Sequence, residues 1–144
     1  MKAILIAVAV LFSTSLFAQN ADAVLGKWET KNGKSHVEIY KKDGEYYGKI
    51  VWLKEPLNEE GKPKVDKNNP EEDMRSRPLK GLELLREFEY DADDEMWEDG
   101  EIYDPESGDT YSCEMSLEGD NKLKVRGYLG ISLLGRTTVW TRVE

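Results

Sequence analysis

One cysteine and one histidine are all that this 144-residue chain offers of the two side chains most often used for soft-metal binding and nucleophilic catalysis. Cys113 alone excludes an internal disulfide framework and any cysteine-cluster metal site. His36 alone excludes a histidine-rich zinc site and leaves a Ser-His-Asp triad with no choice of base. Basic residues are also scarce, 20 against 29 acidic ones, for a net charge of −9. A general nucleic-acid binder needs the opposite balance to meet a phosphate backbone, so none is expected. The sequence lacks an amphipathic helix of useful length, an internal repeat and a low-complexity tail. It also lacks a P-loop or dinucleotide-binding glycine motif and any nucleophile motif, so neither a cofactor nor a metal is expected. Its length is that of one domain.

A long apolar run occurs only at the beginning. Met1–Ala18 reads as a lysine, an apolar stretch from Ala3 to Phe12, then small polar residues. That is the pattern of a secretory signal peptide. The run is too short to cross about 30 Å of hydrocarbon, which disfavours a membrane anchor. Cleavage is expected after Ala18, with Ala23 as the alternative because Ala21-Asp22-Ala23 also fits a small-residue site. No cysteine stands near either position, which excludes a lipid-anchored mature N-terminus. The expected product, residues 19–144, is a single domain with no integral membrane segment, located in the periplasm or outside the cell. Phe12 and Phe17 leave with the signal, so Phe88 is the only phenylalanine beside four Trp and seven Tyr. Rings with a polar tip suit half-wet surfaces and are also ordinary strand residues.

The rest alternates with period two. Val37 and Ile39 share a face, as do Tyr46, Ile50 and Trp52. Asp43-Gly44 between them is a strong hairpin signal, because a type I′ turn needs positive φ at both positions. Thr110–Glu118 alternates cleanly, and Gly119-Asp120-Asn121 turns it into Lys122–Tyr128. With Leu25–Thr30, Leu82–Tyr90, Trp97–Tyr103 and Arg136–Val143, about eight short strands follow one another. The long polar segment Lys54–Pro78 holds the best helical candidate, a short turn at Pro70–Met74, and is long enough to be a lid or binding loop. Eight consecutive antiparallel strands with one apolar face each predict an all-β, up-and-down barrel; a sandwich is the rival. Such a barrel is just wide enough to be filled by side chains or to hold one small ligand.

Gly26-Lys27-Trp28 near the start and Trp140-Thr141-Arg142 near the end resemble the calycin, or lipocalin-like, arrangement, in which an arginine of the last strand covers a tryptophan of the first and closes the floor. Gly26, Trp28 and Arg142 are therefore candidate closure residues, with a guanidinium stacked on an indole as the physical basis. Three longer stretches are more specific: Asn68-Asn69-Pro70 with Arg75-Ser76-Arg77-Pro78-Leu79; Ile102-Tyr103-Asp104-Pro105 with Gly108; and Val125-Arg126-Gly127-Tyr128 through Gly135-Arg136-Thr137. Together they resemble the bacterial family called domain of unknown function 2147. The resemblance implies a secreted calycin-like barrel in the bacterial envelope and implies no reaction. Glu98-Asp99-Gly100 departs from the Gly-rich stretch expected after Trp97 and adds negative charge there.

Several residues have two readings. Arg75 and Arg77 stand in the long loop and can clamp an anion or bridge to nearby acids and pin the loop. Arg86 shares a face with Leu84 and Phe88, so it meets a partner inside the barrel or is turned outward by a bulge. Arg126-Gly127-Tyr128 and Gly130–Gly135 form a ligand portal or a tight connection with Leu133 and Leu134 packed. Tyr46, Trp52, Tyr103, Tyr111 and Tyr128 line a cavity or fill a core. His36 is expected to be structural and Cys113 a small buried hydrophobe. The acidic run 91–95 lacks the glycine and final glutamate of a calcium loop and is expected to be a solvated turn. The leading expectation is a binding module for a small hydrophobic or amphipathic ligand, with Arg75, Arg77, Tyr103, Arg126 and Tyr128 as anchors. The alternatives are an envelope interaction protein with a filled barrel and, third, a hydrolase. The sequence names no protein partner.

Overall fold

The computed structural model describes residues 20–143. The expected signal segment lies outside the described residues. Eight antiparallel strands follow in chain order: β1 (Gly26–Glu29), β2 (Ser35–Lys42), β3 (Glu45–Leu53), β4 (Glu83–Asp91), β5 (Met96–Asp104), β6 (Asp109–Glu118), β7 (Lys122–Tyr128) and β8 (Arg136–Arg142). Each pairs with the next and β8 returns to β1, so the sheet closes into a barrel. A sandwich would leave open edges, and this sheet has none. Asp43 and Gly44 take φ of 53° and 82°, the left-handed conformations that the β2–β3 turn demanded. The helical turn of the long loop is a single 3-10 turn at Glu72–Met74.

Up-and-down topology puts alternate connections at opposite ends. Residues 30–34, 54–82, 105–108 and 129–135 gather at one end, here called the mouth. Residues 20–25 and the turns at 43–44, 92–95 and 119–121 gather at the other, the floor. The floor half is solid: Trp28, Val37, Tyr46, Phe88, Trp97 and Met115 are all buried. Their polar tips are satisfied by the segment before β1. The Trp28 indole donates to the Val24 carbonyl (2.9 Å), the Trp97 indole to the Ala21 carbonyl (3.0 Å), and the Tyr46 hydroxyl to Asp22 (2.6 Å). Residues 21–25 thus act as a plug beneath the barrel. Removal of everything through Ala23 would cut away two of these three acceptors.

Close packing sets where glycine is required. A side chain at Gly100 would run into the Phe88 ring at 2.5 Å, and one at Gly48 into Leu85 at 2.8 Å. β4 adapts by spending one extra residue against β3 at two places, between Phe88 and Leu85 and again between Leu85 and Glu83. These bulges bury Leu84 and Leu85 together and take the intervening chain off strict alternation. Arg86 is therefore turned outward, where it pairs with Glu101 (3.4 Å). A register shift at His36/Val37 likewise interrupts the face on which Tyr46, Ile50 and Trp52 were expected together. Trp52 is 41% exposed and stacks against His36, with ring centroids 4.3 Å apart. The packed Leu133 and Leu134 also require correction: they are 84% and 75% exposed, because the β7–β8 loop stands above the rim with no second layer to cover it.

The seam between β1 and β8 is the shortest ladder, with only Trp28↔Arg142 and Glu29↔Thr141 in register. Arg142 reinforces it. Its guanidinium lies 4.3 Å from the centre of the buried Trp28 ring and donates to the carbonyls of Leu25 (2.9 Å), Ala23 (2.7 Å) and Asp120 (2.7 Å). One planar cation thus holds the plug, the last floor turn and the seam. Arg142→Ala should cost about 3 kcal/mol in urea unfolding, from lost charge-assisted bonds and stacking. Arg142→Lys should recover less than half of that, because a point-like ammonium cannot stack and reach three carbonyls together.

Candidate binding site

The mouth half of the barrel is open. A cavity of about 1090 Å³ runs from the middle of the barrel to the mouth. Its inner wall is apolar, built by Ile50, Leu84, Ile102, Val125 and Trp140, with Tyr103, Tyr111 and Tyr128 nearer the rim. Ile102, Tyr111, Val125 and Trp140 share the cavity because inward positions recur every second residue on adjacent strands, whereas Tyr103 and Tyr128, one residue off that phase, meet it at the edge. The size matches or slightly exceeds that of small-molecule pockets, roughly 300–1,000 Å³. Tyr46 is not in this wall: it belongs to the floor core, and Trp52 lies outside the barrel.

The long loop covers one side of the mouth and is fastened there. Its anchor is Asp66, fully buried and surrounded by donors. One carboxylate oxygen accepts from the Tyr103 hydroxyl (2.7 Å). The other accepts from Asn69 Nδ2 (2.9 Å) and from Arg77 Nη2 (3.2 Å) and Nε (3.3 Å). Burial, then the neighbouring Asp66 carboxylate, pushes the Tyr103 hydroxyl up to about 12, so it remains a donor at any ordinary pH. Asn68 Nδ2 binds the carbonyls of Pro105 (3.1 Å) and Glu106 (3.0 Å), and the Asn68 carbonyl presses against Gly108, where any side chain would collide with it. The loop is a strapped-down part of the rim.

The five candidate anchors separate on this geometry. Tyr103 and Tyr128 line the cavity. Arg77 is committed to Asp66, and Arg75 donates to the Asn69 carbonyl (2.7 Å) on the outer side of the strap. Arg126 donates to Thr137 (2.8 Å) beside Gly135, outside the cavity wall. Asp66 carries the most contacts of the strap, and sequence reasoning missed it. Nothing marks it among the many acids of Lys54–Pro78, because its role depends on Tyr103, which lies 37 residues away. Cys113 is buried, and burial pushes its thiol up to about 12, so it is no nucleophile. His36 approaches Glu29 at 3.7 Å.

Carboxylates converge at the floor rather than in the cavity. Asp91, Asp94 and Glu98 bring one oxygen each within 4.8 Å of one another. The hydrogen bond with Asp91 and then desolvation raise Glu98 to about 7, and the same bond lowers Asp91.

Two predictions follow from these contacts. Asp66→Ala strands a phenol and a guanidinium at once; it should cost about 3 kcal/mol in urea unfolding and open the loop to trypsin at Lys64 and Lys67 under native conditions. Glu98 binds a proton more tightly folded than unfolded, so between pH 4.5 and about 7 its contribution to stability falls as pH rises. Glu98→Gln should therefore raise Tm at pH 8 relative to the parent, and the gain should shrink toward pH 5.

Comparison with known proteins agrees with the architecture. A solved structure described as "Protein HP1028 from the human pathogen Helicobacter pylori belongs to the lipocalin family" superposes with a TM-score of 0.73 at 21% identity, covering 84% of this chain and 83% of that one. At that identity the likeness concerns the fold alone, which is lipocalin-like. No curated protein matches the chain. A family model for uncharacterized proteins conserved in bacteria, DUF2147, matches residues 26–142, from the glycine that opens β1 to the arginine that closes the seam. The chain belongs to the DUF2147 family, and its fold is a closed, eight-stranded, lipocalin-like barrel.

Proposed function

We propose that this protein is a binding module for a small, partly apolar molecule held in the mouth half of the barrel, and that it works in the bacterial envelope after export and removal of Met1–Ala18. One observation carries the reading: a barrel filled at the floor retains a cavity of about 1090 Å³ at the mouth, with an apolar inner wall. A barrel serving only as a rigid body would gain stability by filling that space with side chains. Tyr128 is the proposed polar contact near the rim; Tyr103, Arg75 and Arg77 support the site by fixing the strap, and Arg126 by holding the start of β8. Cleavage after Ala18 fits better than after Ala23, since the floor plug needs Ala21 and Asp22. A hydrolase has less support: the carboxylate group Asp91, Asp94 and Glu98 sits at the end of the barrel opposite the cavity.

Native mass spectrometry of protein purified from its own envelope should show a co-purifying small molecule. Thr138 faces the cavity, so Thr138→Phe should lower the loaded fraction by about tenfold or more while leaving Tm within a few degrees. Protein that emerges empty, and that shows no thermal shift with a panel of lipids and apolar metabolites, would overturn the reading.

A further inference from the structure

The connection between β7 and β8 exposes four large apolar side chains within six residues. Leu129, Ile131, Leu133 and Leu134 are 66%, 57%, 84% and 75% exposed. A single exposed leucine is ordinary, but a contiguous apolar tip marks a surface that is covered by something. Gly130, at φ 74°, and the single turn Ser132–Leu134 carry this tip above the rim. Beside it, Lys34, Lys54, Lys64, Lys67 and Arg136 border the cavity. Lys34 pairs with Glu106 and Lys64 with Glu55, whereas Lys54, Lys67 and Arg136 make no ion pair with any described residue.

The floor end has the opposite sign. Its connections hold Asp22, Asp43, Asp93, Asp94, Glu95 and Asp120, with no lysine or arginine. The mouth connections are near balance, with nine lysines and arginines against eight aspartates and glutamates, so the excess negative charge of the chain lies away from the mouth. Strands of seven to ten residues place the floor acids roughly 20 Å from the mouth, beyond the Debye length of about 10 Å at 0.1 M salt. A surface that touches the mouth therefore meets Lys54, Lys67 and Arg136 on a nearly neutral rim and not the acidic floor.

We propose that the mouth of the barrel docks onto an anionic lipid surface, with the Leu129–Leu134 tip inserted at the headgroup boundary and Lys54, Lys67 and Arg136 against the headgroups. Apolar insertion next to unpaired cations is the combination that holds proteins at such interfaces. A second copy of the chain would also cover the leucines, but a mouth-to-mouth pair would press the same unpaired cations together. Charge complementarity therefore selects the lipid surface. The docking does not depend on the cavity being loaded, and Ile131 and Leu133 are not part of the cavity wall.

Vesicle flotation tests this directly. The purified protein should float with vesicles of phosphatidylcholine containing roughly one third phosphatidylglycerol and about tenfold less with phosphatidylcholine alone. Raised salt should release it. Ile131→Asp/Leu133→Asp and, separately, Lys54→Glu/Lys67→Glu/Arg136→Glu should each reduce flotation by about tenfold with an unchanged circular dichroism spectrum. Leu133→Cys carrying an environment-sensitive fluorophore should shift to the blue on anionic vesicles; Cys113 is buried and does not compete for the label. No flotation with anionic vesicles, equal flotation of the variants, or a label that stays in a water-like environment would overturn the proposal. So would a concentration-dependent dimer that Ile131→Asp/Leu133→Asp dissolves in the absence of lipid, since the leucines would then belong to a second copy.

Discussion

A barrel is only as closed as its weakest seam, and here that seam is β1 with β8. Two register pairs join the strands, and the Arg142 guanidinium supplies the rest by stacking on Trp28 and binding three carbonyls. These contacts make the floor a single unit. Trp28 is buried because Arg142 covers it, and the plug is held because both side chains bind its backbone. Loss of the cation would leave a four-residue strand against two ladder pairs, too little to keep an edge shut.

With the floor closed, the two halves of the barrel do different work. The floor half is filled by buried side chains, with glycines at positions 48 and 100 making room for Leu85 and Phe88. The mouth half remains open, with Ile50, Leu84, Ile102, Val125 and Trp140 walling the cavity. The strap resolves a conflict in the long loop. A polar segment over an apolar cavity has little hydrophobic reason to stay, so it is tied by one buried carboxylate with donors from Tyr103, Asn69 and Arg77. Charge follows the same division: acids crowd the floor turns, whereas the rim is nearly balanced, with Lys54, Lys67 and Arg136 unpaired near an apolar tip.

Much of this was legible in the sequence, and particular residues show why. Period-two alternation gave the number and order of strands, and Asp43-Gly44 gave a turn whose dihedrals follow from the dipeptide itself. Trp28 and Arg142 were legible as closure partners only through a likeness to a known arrangement, since neither residue type is unusual alone. Arg77 kept two readings until Asp66 was found within reach. Trp52 went astray and Arg86 kept two readings for one shared reason: a bulged residue inverts the face beyond it, and alternation has no means of locating bulges.

The amino-acid sequence by itself determined a β-rich chain, its hairpin turns, its acidic balance and its scarcity of cysteine and histidine, because these depend on local backbone preference and on composition. Only the tertiary structure decided that the mouth half stays hollow, that Asp66 ties the loop, that Leu133 and Leu134 stand exposed and that the charges separate along the axis. Each of those depends on which residues meet across strands distant in the chain. That is fixed by register, bulges and closure together, not by any local pattern.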